Sequence, residues 1–177
     1  MTISPDTKNW TWVLTKPCPE CGFDASTFPA SHVAAALHDN VGSWRALLED
    51  PNARERPSDS VWSALEYGCH VRDVFRVFDQ RLRRMLTEDD PLFENWDQDK
   101  TADDERYWEQ DPAAVIDDLE IAGAKLIASF EAVPDDAWSR PGRRSDGSAF
   151  TVDTFARYLL HDPVHHLWDV TRALDFE

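Results

Sequence analysis

Apolar residues recur at helical spacing in four long blocks of this 177-residue sequence, and this periodicity limits the fold more than any other feature. The blocks span residues 29–49, 60–88, 111–130 and 151–174. Asp111 followed by Pro112 is typical of a helix N-terminus, where a side chain caps the first turn and a missing N–H costs nothing. We find no pattern typical of a strand ladder. The sequence therefore predicts an all-α protein with an antiparallel four-helix bundle.

Two connections between the blocks carry information of their own. Residues 87–110 are acidic and read as a loop, although their aromatic residues predict packing against the bundle, and the part around "FENWDQD" is either a lid or a packed connection. Before the last block, Asp146 and Gly147 predict at most a short hairpin. We accordingly divide the chain into an N-terminal extension, residues 1–28, and a bundle domain, residues 29–177.

The charge balance limits the partners of the protein. Lys and Arg number 18 against 34 Asp and Glu, so the formal net charge is −16 and phosphate backbones and anionic lipids are repelled. Neither a signal peptide nor a membrane-spanning stretch is recognisable. We expect a soluble, cytoplasmic protein whose partner is a small-molecule substrate rather than nucleic acid or a membrane, and the sequence leaves a homodimer open.

The last block contains "HDPVHH", in which His161 and His165 stand four residues apart. On a helix this spacing places both imidazoles on one face, about one turn apart. His70, in the second block, falls in the apolar sector and should point inward. Three neutral nitrogens suit Zn, Ni, Fe or Mn and leave positions open for water or substrate. On a helical wheel the other three histidines lie away from this set. The sequence therefore predicts that they are dispensable for metal binding: His32, His38 and His166.

Two other interpretations of these histidines stay open at this point. A histidine on an apolar face is often a hydrogen-bonded core residue rather than a ligand. The helix also has apolar residues on both sides, and the histidine side looks like the wall of a cavity or an interface because Tyr158, Val164 and Trp168 line it. Pro163 removes a backbone hydrogen bond between the two histidines, which marks either a site or a tolerated kink.

The stretches "WSALEYGCHVRDVF" and "HDPVHH", set in a four-helix layout, resemble the DinB-like superfamily. The resemblance covers the chain after about residue 25. That superfamily includes thiol-dependent S-transferases and the mycothiol-dependent maleylpyruvate isomerase. The resemblance implies that a divalent metal is held by one histidine of the second helix and two of the last, which fall here on His70, His161 and His165.

The resemblance further implies an enzyme that uses a low-molecular-weight thiol, mycothiol or bacillithiol, as an S-transferase or isomerase. A metal ion would lower the pKa of such a thiol and generate the nucleophile. A metal-dependent hydrolase and a non-catalytic metal- or ligand-binding bundle are the alternatives. No catalytic residue is assigned, although four polar residues are candidates for orienting the histidines or moving protons: Glu66, Asp73, Tyr158 and Asp162.

The N-terminal extension contains "KPCPECGFD", residues 16–24, whose CPxCG spacing is that of a zinc knuckle. One knuckle supplies half of a zinc-ribbon site, and the remaining cysteine, Cys69, is alone in the second helix. Cys18 and Cys21 therefore form a vestigial knuckle, a labile disulfide, or two ligands that a histidine or a partner chain completes.

Overall fold

Five α-helices and three short β-strands form the regular structure of residue 3 and residues 9–174, which a computed structural model of the chain describes. The helices are α1 (Val33–Leu48), α2 (Ala64–Thr87), α3 (Gln98–Asp104), α4 (Pro112–Glu131) and α5 (Val152–Leu174). The strands are β1 (Leu92–Phe93), β2 (Pro141–Arg144) and β3 (Ala149–Thr151). The protein is mostly helical, and its four long helices correspond to the four predicted blocks.

Side-chain caps determine where two of the long helices begin. Asp111 caps α4 by accepting a hydrogen bond from the backbone of Ala114, as the sequence predicts. At α2, the Ser63 side chain accepts from the Glu66 backbone, while the Glu66 carboxylate accepts from the Ser63 backbone. This reciprocal capping box starts the helix at Ala64, four residues after the predicted start.

The long helices pack so that α4 contacts both α1 and α2, and α5 also contacts both. α1 makes few contacts with α2, and α4 makes few contacts with α5. The core between them is apolar and aromatic, with the rings of Phe78 and Phe155 stacked 4.8 Å apart. This arrangement buries one face of α5 against α2. Within the described residues, no helix combines the length and the apolar character that a membrane span requires.

The acidic connection, residues 87–110, is more ordered than the predicted loop, because it contains β1, α3 and a 3-10 helix at Tyr107–Glu109. Asp97 caps α3 by accepting from the backbone of Lys100. Tyr107 is buried and its hydroxyl donates to Asp73 at 2.6 Å. Contacts with the bundle therefore create regular structure where the local sequence shows no periodicity.

The predicted hairpin before the last helix is present. β2 and β3 pair antiparallel, and Gly147 takes φ +90° in the turn, a conformation that glycine adopts without strain. β1 adds to β2 in parallel and completes a three-stranded sheet, which the sequence does not predict.

Candidate metal centres

Helix α5 carries two pairs of ligand-type side chains, each with i, i+4 spacing. One pair is His161 and His165, and the other is Asp162 and His166. Because consecutive helical residues are rotated by about 100°, the two pairs face different neighbours. The first faces the N-terminal segment and the second faces α2.

The first pair belongs to a group that we call the cysteine–histidine cluster. Its members are Cys18, Cys21, His161 and His165, and their ligand atoms all lie within 4.8 Å of one another. Cys18 Sγ is 3.6 Å from His165 Nδ1. Trp10 covers the two imidazoles, with its ring 5.3 Å from each of theirs. Cys18 and both histidines are buried.

The turn that presents the cysteines is fixed by two backbone hydrogen bonds. The N–H of Cys18 donates to the carbonyl of Phe23, and the N–H of Gly22 donates to the carbonyl of Cys18, both at 2.9 Å. Gly22 has φ +75°, in the left-handed region that favours glycine. The CPxCG sequence thus forms the tight turn expected of a knuckle.

The environment of this cluster favours neutral side chains. Burial and, to a lesser extent, the nearby His165 lower the pKa of His161 to about 4. Burial also lowers the pKa of His165. It raises the pKa of the Cys21 thiol to about 11. The imidazoles are therefore in the unprotonated form that binds metals, whereas a cation is needed to ionise the thiol.

His70, Asp162 and His166 form a second group, the carboxylate–histidine cluster, whose ligand atoms also lie within 4.8 Å of one another. Asp162 Oδ1 is 3.4 Å from His70 Nε2 and 3.8 Å from His166 Nε2. The other ring nitrogen of His166, Nδ1, is 3.2 Å from a carboxylate oxygen of Asp169. This outer carboxylate fixes the orientation of the ring and leaves Nε2 directed at Asp162.

Unsatisfied buried atoms concentrate at the two clusters. In residues 9–174, five buried side-chain nitrogen or oxygen atoms lack a hydrogen-bond partner, and four of them belong to cluster residues. These four are His70 Nδ1, His70 Nε2, His161 Nε2 and Asp162 Oδ1. Leaving such atoms unpaired costs about 1–3 kcal/mol each. A metal ion at each cluster would bind one His70 nitrogen, His161 Nε2 and Asp162 Oδ1, so the residues present fit such an ion.

Ionisation of Asp162 also fits this role. Burial works to raise the pKa of Asp162, but His166 and His70 beside it outweigh burial and hold the pKa at about 2. The carboxylate is therefore ionised at neutral pH. His70 is fully buried, as the sequence predicts, and its ring stacks on Trp96 at 5.6 Å.

Two cavities adjoin the clusters. The smaller, of about 80 Å³, is lined by Trp10, Gln98, Tyr158, His161, Asp162, His165 and His166. The larger, of about 220 Å³, shares Trp10, Gln98, His165 and His166 with it and adds three carboxylates, those of Glu20, Asp99 and Asp169. A metal held by the carboxylate–histidine cluster would thus border space for a small ligand.

The structure divides the three histidines that the sequence singles out. His161 and His165 lie together, as their spacing predicts, whereas His70 groups with Asp162 and His166. The ring of His166, which the sequence predicts to diverge from the site, lies 4.8 Å from that of His70, and its dispensability for metal binding stays a prediction. The 162/166 spacing in "HDPVHH" was the signal for this pair, since carboxylate and imidazole are both metal ligands. His32 and His38 are exposed, outside both clusters.

Two of the residues considered for orienting the histidines have other partners. Glu66 is bound by Arg56 and by the Ser63 cap. Asp73 forms ion pairs with Arg72 and Arg76. Asp169 contacts both His165 and His166.

Comparisons with known proteins agree with this fold. YfiT from Bacillus subtilis, described as a probable metal-dependent hydrolase with an unusual four-helix bundle topology, is similar with a TM-score of 0.63 and 17% identity over 97% of this chain and 93% of its own. The mycothiol-dependent maleylpyruvate isomerase is similar with a TM-score of 0.62 and 15% identity over 85% of this chain and 62% of its own. A comparison with curated protein sequences finds no match. The sequence profile of the DinB superfamily matches residues 35–170, and the chain therefore belongs to the DinB superfamily.

Proposed function

We propose that the protein is a metal-dependent enzyme whose catalytic ion is held by His70, Asp162 and His166. The observation that carries this proposal is the convergence of buried atoms of His70 and Asp162, which lie 3.4 Å apart and form no hydrogen bond, beside a cavity lined by Asp162 and His166. Three protein ligands are typical of catalytic zinc sites, which keep a further position for water or substrate. The ion would supply a Lewis acid that ionises a bound thiol or water near neutral pH.

The chain's own residues prepare this centre. One carboxylate and two neutral imidazoles leave a bound divalent ion with a net charge of about +1, which preserves its ability to attract a nucleophile. Asp169 orients His166 through its outer nitrogen. Trp96 and Trp62 pack on the ring of His70 and keep it in place.

A low-molecular-weight thiol is our first candidate for the nucleophile, with transfer to or isomerisation of a small electrophile as the reaction. The structural likeness to a mycothiol-dependent isomerase supports it. Glu20, Asp99 and Asp169 line the larger cavity. These carboxylates repel anions, so an uncharged thiol such as mycothiol is favoured over bacillithiol, which carries carboxylates.

Hydrolysis is the second candidate, and the small cavity is the observation that favours it. About 80 Å³ beside Asp162 and His166 holds only a few water molecules, and Asp162 and Tyr158 offer polar atoms there. The likeness to a probable metal-dependent hydrolase agrees with this.

A bundle that binds metal without turnover is the remaining alternative. A cytoplasmic location and a homodimer stay predictions from the sequence.

The grouping of ligand atoms also offers an alternative to the sequence prediction that one ion is shared by His70, His161 and His165. The test compares His166→Ala with His161→Ala in protein purified without chelating resin. Both variants and the wild type are screened for loss of free thiol with model electrophiles and for ester and amide hydrolysis. We expect His166→Ala to abolish activity and His161→Ala to retain a measurable part. Full activity in His166→Ala would contradict our assignment, and loss in His161→Ala alone would support the shared three-histidine site.

A further inference from the structure

We propose that Cys18, Cys21, His161 and His165 bind a structural zinc ion that fastens the N-terminal segment to α5. This site is distinct from the proposed catalytic centre, with which it shares no ligand. Its cysteines lie outside residues 35–170, the part that matches the DinB superfamily. The site is therefore an addition to the matched region.

The spacing of the ligand atoms agrees with a tetrahedral zinc ion. Bonds of about 2.3 Å to sulfur and about 2.05 Å to nitrogen hold those two atoms about 3.6 Å apart at the tetrahedral angle. Cys18 Sγ and His165 Nδ1 are separated by 3.6 Å. This contact is thus already at the distance that zinc ligation requires.

The donor set also specifies zinc. Two thiolates and two neutral imidazoles form one of the common structural zinc sets, and they cancel the charge of a divalent ion completely. Cancellation matters because Cys18, His161 and His165 are each at most 6% exposed, and an isolated buried charge would be costly. Binding displaces one proton from each thiol to solvent.

Atoms around the four ligands have the arrangement that metal-binding histidines require. His165 directs Nδ1 at Cys18, while its Nε2 lies 3.4 Å from Glu20 and 3.7 Å from Asp169. Carboxylates at the outer nitrogen orient a ligating imidazole. His161 Nε2 is buried and lacks a hydrogen-bond partner among the described residues, and a zinc ion would satisfy it.

Four protein ligands close the coordination shell, so the ion would have a structural role. It would join Cys18 to His165 across 147 residues, a cross-link that restricts the unfolded chain much as a disulfide does. Trp10 and Glu20 belong to the segment held in this way, and both line the larger cavity. The zinc ion would therefore fix one wall of the proposed active site.

The first experiment replaces the metal of the wild-type protein with Co²⁺, whose spectrum reports on its ligands. We expect visible bands of tetrahedral cobalt and a near-ultraviolet thiolate-to-cobalt band, with an intensity that corresponds to two sulfurs. A cobalt-loaded wild type without a thiolate band would overturn the proposal. So would a disulfide between Cys18 and Cys21 found by thiol counting in denatured, unreduced protein.

The second experiment uses variants of both clusters. The Cys18→Ser, Cys21→Ser double variant should lose one zinc equivalent and the whole thiolate band, whereas Cys69→Ser, a control at a buried thiol outside the cluster, should lose neither. His166→Ala should keep the thiolate band while losing the other ion, which separates a failure of this proposal from a failure of the proposed function. A double variant that retains the band, or the same zinc content, would overturn the site.

Discussion

His165 and His166 are consecutive in the sequence, yet their rings meet at 79° and serve different clusters. One carboxylate lies between them. Asp169 Oδ2 is 3.2 Å from His166 Nδ1 and 3.7 Å from His165 Nε2. Helix α5 thus carries ligands of two candidate metal centres with a shared outer residue.

Because Asp169 orients both imidazoles, its replacement should weaken metal binding at both centres. The effect should be larger at the carboxylate–histidine cluster. Glu20 also contacts His165, whereas Asp169 is the closer carboxylate to His166. We expect Asp169→Asn to lower metal affinity at the latter cluster by about 10–100-fold. Competition with a chelator measures this. Glu131→Gln, on α4, is the charge-matched control, and an equal effect of the control would contradict the orienting role.

Removal of metal should loosen the N-terminal segment while the helical bundle stays folded. Glu20, within the knuckle, is an exposed site for a glutamate-specific protease. With zinc bound, cleavage there should be slow, and a chelator should speed it severalfold while far-UV circular dichroism stays helical. Mass spectrometry of a digestion time course measures the rate. Equal rates with and without chelator would show that no ion restrains this segment.

Asp73 should contribute stability that disappears in acid. Burial works to raise its pKa, but hydrogen bonds from Arg72 and Tyr107 outweigh burial and lower the pKa below the ordinary value. A lowered pKa means that the unfolded chain takes up the proton more readily, so the contribution is present above about pH 3.9 and is lost as the pH falls through the folded-state pKa.

The comparison for this prediction is Asp73→Asn against the wild type in urea unfolding at several pH values. The difference in free energy of unfolding should narrow as the pH falls below about 4. A difference that is independent of pH would contradict the lowered pKa. Tyr107→Phe, which removes one donor to Asp73 but keeps the ring, should cost about 1.5–3 kcal/mol at neutral pH.

Replacing Ser63 should shorten α2 at the end that precedes His70. The Ser63 hydroxyl accepts from the backbone N–H of Glu66, while the Glu66 carboxylate accepts from the backbone N–H of Ser63, so the hydroxyl supplies one half of the capping box. Ser63→Ala should cost about 1 kcal/mol of unfolding free energy. Thr151→Ala is the comparison, because the Thr151 hydroxyl likewise accepts from the backbone N–H of Thr154 at the start of α5. A stability unchanged by Ser63→Ala would contradict the capping role.

Local signals in the sequence account for the parts of the fold that were predicted. Asp111 and Pro112 mark the start of α4, and Gly147 marks the hairpin turn. β1 has no such signal, because it depends on pairing with β2 and on burial of Phe93 against the bundle. α3 has a capping residue, Asp97, but its seven residues are too few to show a helical period. Tertiary contacts of this kind are invisible to periodicity.

The metal ligands show the same limit. The i, i+4 spacing of His161 and His165 is local and visible in the sequence, but the contact of Cys18 with His165 joins residues 147 positions apart. Which pair on α5 meets His70 depends on the rotation of the helix about its axis. Apolar residues lie on both sides of α5, so the sequence does not determine that rotation. It therefore does not identify Asp162 and His166 as metal ligands.

The number of metal ions per chain tests the central claim, two separate centres on α5, most directly. Metal analysis of protein purified without chelating resin should give two equivalents for the wild type. His166→Ala and the Cys18→Ser, Cys21→Ser double variant should each retain one, and the combination of all three substitutions none. A wild type with one ion, lost in both His166→Ala and the double variant, would contradict the account.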